Sequence, residues 1–187
     1  MRVRTPHNRY GKSSQALHWL TALLVLAAFV LGPEGSEQRI YAPEADFGRR
    51  WHESLGLAVF TLTVLRVLWR QFDKGPAPVP MGRWMTLAGR SIQGLLYVLL
   101  FAVPLTAVAG AWLSGHPLTL LGGLDLAPGL KAAPALGHQL SELHGLLSDG
   151  LLLLAGLHAG AALLHHLVLK DRVLVAMLPR WLSADRP

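Results

Sequence analysis

Nine histidines stand in this 187-residue sequence, and the chain has no cysteine. The segment "LHGLLSDGLLLLAGLHAG", Leu143 to Gly160, carries His144 and His158 fourteen residues apart in an otherwise apolar setting. His18 in "LHWL" and His52 in "WHESLG" each open a further apolar run. An ionisable side chain is costly inside lipid and marks function there by default. Neutral imidazole is a good ligand for metals, haem iron included. Without cysteine there are no disulfides, no iron–sulfur clusters and no C-x-x-C-H attachment, so any haem is held without a thioether link.

Other side chains could serve the same chemistry. Arg66 and Arg70 follow His52 by fourteen and eighteen residues, so a helix returns them to its face. A guanidinium turned into a helix bundle calls for an anion, and a haem propionate would supply the carboxylate it pairs with best. Snorkelling to headgroups is the alternative, stronger for Arg70 than for Arg66. His165 lies seven residues past His158 on its face, too far along to ligate the same iron but placed to touch a propionate or a substrate. His166 reads as interfacial, and His7, His116 and His138 as solvated. Arg49 and Arg50, just before His52, read either as a cationic mouth that steers a small anion or as anchors at lipid phosphates.

The elements that must position these groups are membrane spans. Hydrophobic residues make up 52% of the chain and charged residues 15%, and the apolar residues fall in runs. About 20 such residues cross a bilayer as a helix. Four stretches qualify, at about 16–31, 52–69, 91–113 and 144–169, with Pro104 expected to kink the third. The expected fold is an all-α integral membrane four-helix bundle, a single domain over 1–187. The long connection 114–143 is expected to hold a short helix lying on the membrane. The first run is not read as a signal peptide, because no small-x-small cleavage site closes it.

Thirteen of the 17 basic residues fall on one side of these spans: Arg2, Arg4, Arg9, Lys12, Arg66, Arg70, Lys74, Arg83, Arg90, Lys170, Arg172, Arg180 and Arg186. Arg39, Arg49, Arg50 and Lys131 fall on the other. The basic excess marks the cytoplasmic side, so both termini are expected there. The net charge of +6 is thus accounted for by topology, not by nucleic-acid binding.

Orientation gives each histidine a depth. His18 comes to lie near the cytoplasmic face and His52 near the outer face. His144 is outside, and His158 sits about 21 Å deeper at the helical rise of about 1.5 Å per residue, on the same face of the helix. Two level pairs result, His52/His144 outside and His18/His158 inside. Such pairs suit two six-coordinate b haems, whose closed coordination favours electron transfer over oxygen binding. A transition-metal site fits less well, since each level offers two imidazoles and no third ligand. Gly56, Gly145, Gly156 and Gly160 near these histidines either admit a porphyrin face or allow close helix packing.

"LHWL", "WHESLG", "LHGLLSDGLLLLAGLHAGAALLHHLVLKD" and "MLPR" together resemble the bacterial cytochrome b561 family, over nearly the whole chain. The resemblance implies axial ligands at His18, His52, His144 and His158, a place in the bacterial inner membrane, and electron exchange between a quinone and a second redox partner. Some members are superoxide oxidases that reduce ubiquinone, so the donor is expected to be a small anion or a protein. The quinone is expected at the cytoplasmic end, near His165, Arg66 and Trp84, with His165 able to supply a proton. One alternative is a cytochrome b anchor subunit of a larger oxidoreductase. Another, of a different class, is a metal or proton transporter.

Overall fold

The computed structural model describes residues 9–33, 40–73 and 75–182. His7 and the basic residues Arg2, Arg4, Arg39, Lys74 and Arg186 lie outside them. Four long helices dominate: α1 (Lys12–Val30), α2 (Asp46–Trp69), α3 (Arg83–Leu113) and α4 (Pro134–Leu164). A π-helical turn, His165–Leu169, extends α4, and a five-residue helix α5 (Val173–Met177) follows. By length and apolarity α1, α3 and the run Pro134–Leu169 can each cross a membrane. Helix α2 is long enough but more polar, because its span holds His52, Glu53 and Arg66.

The helices overrun the apolar stretches that signal them. Helix α3 begins at Arg83 behind Gly82 and runs through Pro104 to Leu113. Helix α4 begins with Pro134 in its first turn, where a missing N–H costs nothing. These extensions carry polar residues that a hydropathy reading leaves outside the bilayer. The stretch 114–143, expected to be a connection, holds no separate membrane-lying helix. Its first half is a small antiparallel hairpin, β1 (Leu118–Thr119) with β2 (Asp125–Leu126), and its second half already belongs to α4.

Helix α3 packs most extensively on α4, α1 packs on α2, and α2 also meets α3. Val59, Leu100 and Leu151, from α2, α3 and α4, form the buried centre, with Leu24 and Val25 of α1 against it. Large apolar side chains elsewhere, such as Leu23, Val98 and Leu153, point outward, as a lipid-facing surface requires. Thr63 is fully buried and Thr21 nearly so, yet each hydroxyl donates to a carbonyl one turn back, Val59 O at 2.7 Å and Leu17 O at 2.6 Å. That bond lets a hydroxyl sit in an apolar interior without an unmet donor.

The α3–α4 crossing is built on glycine. A Cβ on Gly110 would come within 2.8 Å of Ser141 Oγ, and one on Gly137 within 2.7 Å of the Ser114 backbone nitrogen and 3.0 Å of Gly110 O. Gly110 with Ser114, and Gly137 with Ser141, form reciprocal small-xxx-small pairs, so the two backbones touch.

Candidate functional site

Helix α4 supplies one histidine at each end of the bundle, and α1 and α2 supply the partners. His144 faces His52 with ring centroids 5.9 Å apart and planes at 87°. His158 faces His18 at 6.4 Å and 78°. The arrangement follows from antiparallel neighbours: α2 starts at the end where α1 finishes, so His52 lies level with the last turn of α1.

The first pair is anchored by backbone carbonyls. His52 Nδ1–H donates to Ala28 O at 2.8 Å, and His144 Nδ1–H donates to Val103 O at 2.9 Å. Ala28 O lies in the last turn of α1, where carbonyls lack helical partners, so the imidazole also caps that helix. Each bond fixes the tautomer and leaves the Nε2 lone pair free for a metal. In the second pair, His18 Nδ1 is buried and has no hydrogen-bond partner among the described residues. The cation Arg66 lies within electrostatic reach of both His18 and His158.

Arg66 and Arg70 both lie over the ring of Tyr97, at 5.4 Å and 6.0 Å from its centroid. Neither has a carboxylate partner among the described residues. Tyr97 gave no signal in the sequence, being one aromatic in an apolar run; its place seven residues after Arg90 on one helix face was the available clue. Trp84, at the very start of α3, is 77% exposed and stacks with its neighbour Arg83.

His165 opens the π-helical turn, and its Nδ1–H donates to Asp171 Oδ2 at 2.5 Å. Lys170 adopts a left-handed conformation, φ 54°, which turns the chain back so that Asp171 reaches His165. Burial works against ionisation of the Asp171 carboxyl. Hydrogen bonds from His165 and from Val173 N–H prevail and hold it below the usual carboxylate range. Next to this clasp, α5 docks on α1 through its carbonyls. Gln15 Nε2 donates to Ala176 O and Leu178 O, Trp19 Nε1 to Met177 O, and Arg9 Nη1 to Leu178 O.

At the other end, Arg49 and Arg50 sit among carboxylates. Arg49 donates to Asp46 at 2.5 Å and to Glu53 at 3.0 Å, and Arg50 pairs with Asp46 at 2.6 Å. Two guanidiniums facing two carboxylates leave little net field to steer an anion. The Arg50 hydrogen bond, then that of Arg49, outweigh burial and hold Asp46 below the usual carboxylate range. Glu53 also accepts from Thr119 N–H at 2.6 Å, and Ser54 Oγ accepts from Leu121 N–H at 2.9 Å, so the hairpin is tied down beside His52. His116, expected to be solvated, stacks on Tyr41 with centroids 3.6 Å apart. His138 is exposed and approaches Glu142 at 3.4 Å, and His166 is exposed.

The profile of the prokaryotic cytochrome b561 family matches residues 9–180. The chain belongs to that family. Relatives span it almost end to end. The chain is 34% identical to cytochrome b561 homolog 2 of Escherichia coli K12 over 177 residues, 94% of each protein. It is 32% identical to the probable superoxide oxidase CybB of Yersinia pestis over 178 residues, 93% of this chain and 98% of that one. With cytochrome b562 of Cereibacter sphaeroides the identity is 31% over 179 residues, 90% and 94% of the two chains. As a cytochrome b561 protein the chain is a bacterial multi-pass inner-membrane protein of transmembrane electron transfer, in a family that binds b-type haem. Membership sets the transporter reading aside.

The side chains present fit that group. Two imidazole–metal bonds of about 2 Å laid end to end, with a ring radius of about 1.1 Å at each end, put centroids about 6 Å apart. The observed 5.9 Å and 6.4 Å bracket this value. At Gly56, Gly145, Gly156 and Gly160 a Cβ would meet nothing within 4 Å, so these glycines border open space and do not serve close packing. No group of three or more His, Asp or Glu side chains among the described residues could hold a bare metal ion.

Proposed function

We propose that this chain is a four-helix diheme cytochrome with both termini in the cytoplasm, a single functional domain that passes electrons from a donor at the outer face to ubiquinone at the cytoplasmic end. The reading is supported by one observation above all: two histidine pairs, about 21 Å apart along α4 at about 1.5 Å per residue, each spaced for one metal between two imidazoles. His52 and His144 would hold the outer haem, and His18 and His158 the inner one. Bis-histidine haem supplies reversible one-electron transfer without an open coordination position.

The chain's own residues do the rest. Ala28 O and Val103 O orient the outer imidazoles. Arg66 stands beside the inner pair, where it would balance a haem propionate and where a quinone head group could be bound. His165, with Nδ1–H given to Asp171, keeps Nε2 as the atom that holds or passes a proton to a reduced quinone oxygen.

Superoxide is the donor this reading favours, on the strength of the Yersinia relative's name and the family resemblance. The stoichiometry balances: two superoxide anions lose one electron each to give oxygen, and ubiquinone takes two electrons and two protons. Arg49 and Arg50, balanced by acids, serve here to order the outer end of α2 beside His52.

The test is a reduced-minus-oxidised spectrum of the purified chain with a haem count, followed by superoxide-dependent reduction of ubiquinone. Two haems per chain and turnover with superoxide are expected. A colourless protein would sink the diheme reading, and haem without superoxide turnover would sink the donor. His165→Ala is expected to keep both haems and to slow quinone reduction about 100-fold.

A further inference from the structure

On α3, Arg90, Gln93, Gly94 and Tyr97 share one helical stripe, spaced three, four and seven residues along from Arg90. This stripe faces the end of α2. With Arg70 it lines a cleft of about 410 Å³. Stripes with this spacing between packed helices are ordinarily apolar, and this one carries a guanidinium and an amide, to which Arg70 adds a second guanidinium across the cleft. The cleft has no carboxylate in its lining. Arg66 adds a third guanidinium, over the same Tyr97 ring as Arg70, and neither has a carboxylate partner among the described residues. Like charges around one cleft with no carboxylate in its lining favour an anion there.

The lining shows from which direction that anion comes. Arg70, Arg90, Gln93 and Gly94 are exposed, so the cleft opens outward, away from the histidine pairs. A Cβ on Gly94 would meet nothing within 4 Å, which keeps the mouth clear. Exposed aromatics surround this end of the molecule: Trp69, Phe72 and Trp84. Indole rings collect where acyl chains give way to headgroups, so they place the cleft at headgroup depth.

We infer that this cleft binds the phosphate of an anionic phospholipid from the surrounding leaflet. The guanidiniums of Arg70 and Arg90 clamp the phosphate oxygens, Gln93 donates an amide hydrogen, and the acyl chains lie along the outer face of α3 past Val98. Arg66, turned inward, stays with the inner histidine pair. The side of the membrane follows from the topology proposed above, but binding in the cleft does not depend on it.

The test uses the full-length holoprotein in mild detergent, with bound lipid read by native mass spectrometry against added phosphatidylglycerol, phosphatidylcholine and inorganic phosphate. Phosphatidylglycerol is expected to stay bound and phosphatidylcholine to dissociate, with inorganic phosphate failing to displace the former. Arg90→Gln is expected to weaken phosphatidylglycerol binding at least about tenfold, the loss of one charged hydrogen bond. Gly94→Leu, which fills the mouth and keeps every charge, is expected to do the same. Both variants should retain the wild-type haem count. Equal binding of the two lipids, displacement by free phosphate, or unaltered binding in both variants overturns the proposal. Loss of haem from either variant also overturns it, since the cleft would then belong to the prosthetic group. A colourless wild-type protein that still retained phosphatidylglycerol would fail the diheme reading alone.

Discussion

Each imidazole pair has its own dependence on its surroundings. His52 and His144 are locked by carbonyls, whereas His18 has a buried Nδ1 without a partner. Replacing His144 by Ala is expected to remove the outer haem and leave the inner one, so that a pyridine haemochrome assay falls from two haems per chain to one. The four histidines were legible because two periodicities converge on them, fourteen residues along α4 and the matching depths of α1 and α2. Tyr97 was not legible, because an aromatic in an apolar run carries no mark of the cations above it. The ion pairs of Arg49 and Arg50 were hidden for another reason. Asp46 and Glu53 lie one turn either side of Arg49, and that pairing becomes visible only once the helix is known to start at Asp46 and not at His52. The His165–Asp171 contact likewise depends on a left-handed residue at Lys170, which side-chain type does not announce. The Asp171 carboxyl is held low when folded, so its contribution is complete above the ordinary carboxylate range and disappears as pH falls through the lowered value. The stability difference between wild type and Asp171→Asn is therefore expected at neutral pH and should vanish in acid, read by thermal melts across pH.

Among the elements, the long helices were found by hydropathy but their ends were not, and only three of the four are apolar enough to cross a membrane. Polar extensions such as Arg83 to Arg90 and Pro134 to Leu143 carry the helices beyond the apolar runs that lipid requires. The hairpin of Leu118–Leu126 escaped for lack of alternation in two-residue strands. The glycines near the histidines and those at the α3–α4 crossing look alike in sequence, and only their surroundings separate them. Open space borders Gly56, Gly145, Gly156 and Gly160, whereas backbone presses on Gly110 and Gly137. Gly137→Leu should force α3 and α4 apart at a cost of about 1–3 kcal/mol, the usual penalty of overpacking. Gly145→Ala should be far milder by comparison. Parallel thermal melts followed by circular dichroism distinguish the two.

At the scale of the whole molecule, the charge count gives the orientation a direct check. The chain lacks cysteine, so single cysteines introduced at Ala77 and Ala132 report without background. Ala77→Cys is expected to react with an impermeant maleimide only when the cytoplasmic side is opened, and Ala132→Cys from outside in intact cells. The reverse pattern would overturn the proposed topology and exchange the faces of donor and quinone. Membrane class could be read from composition because lipid imposes a length and a polarity on the helices that cross it, as α1, α3 and the run Pro134–Leu169 show. The docking of the carboxyl-terminal segment could not, since it is made through main-chain oxygens. Gln15, Trp19 and Arg9 grip the chain at residues 176 to 178 by its carbonyls, while the Ala176 side chain is buried. That latch recognises the path of the polypeptide, not its lettering, so the partly buried positions 177 and 178 can drift in composition while the small residue at 176 is kept and the His165 turn stays fastened to the rest of the protein.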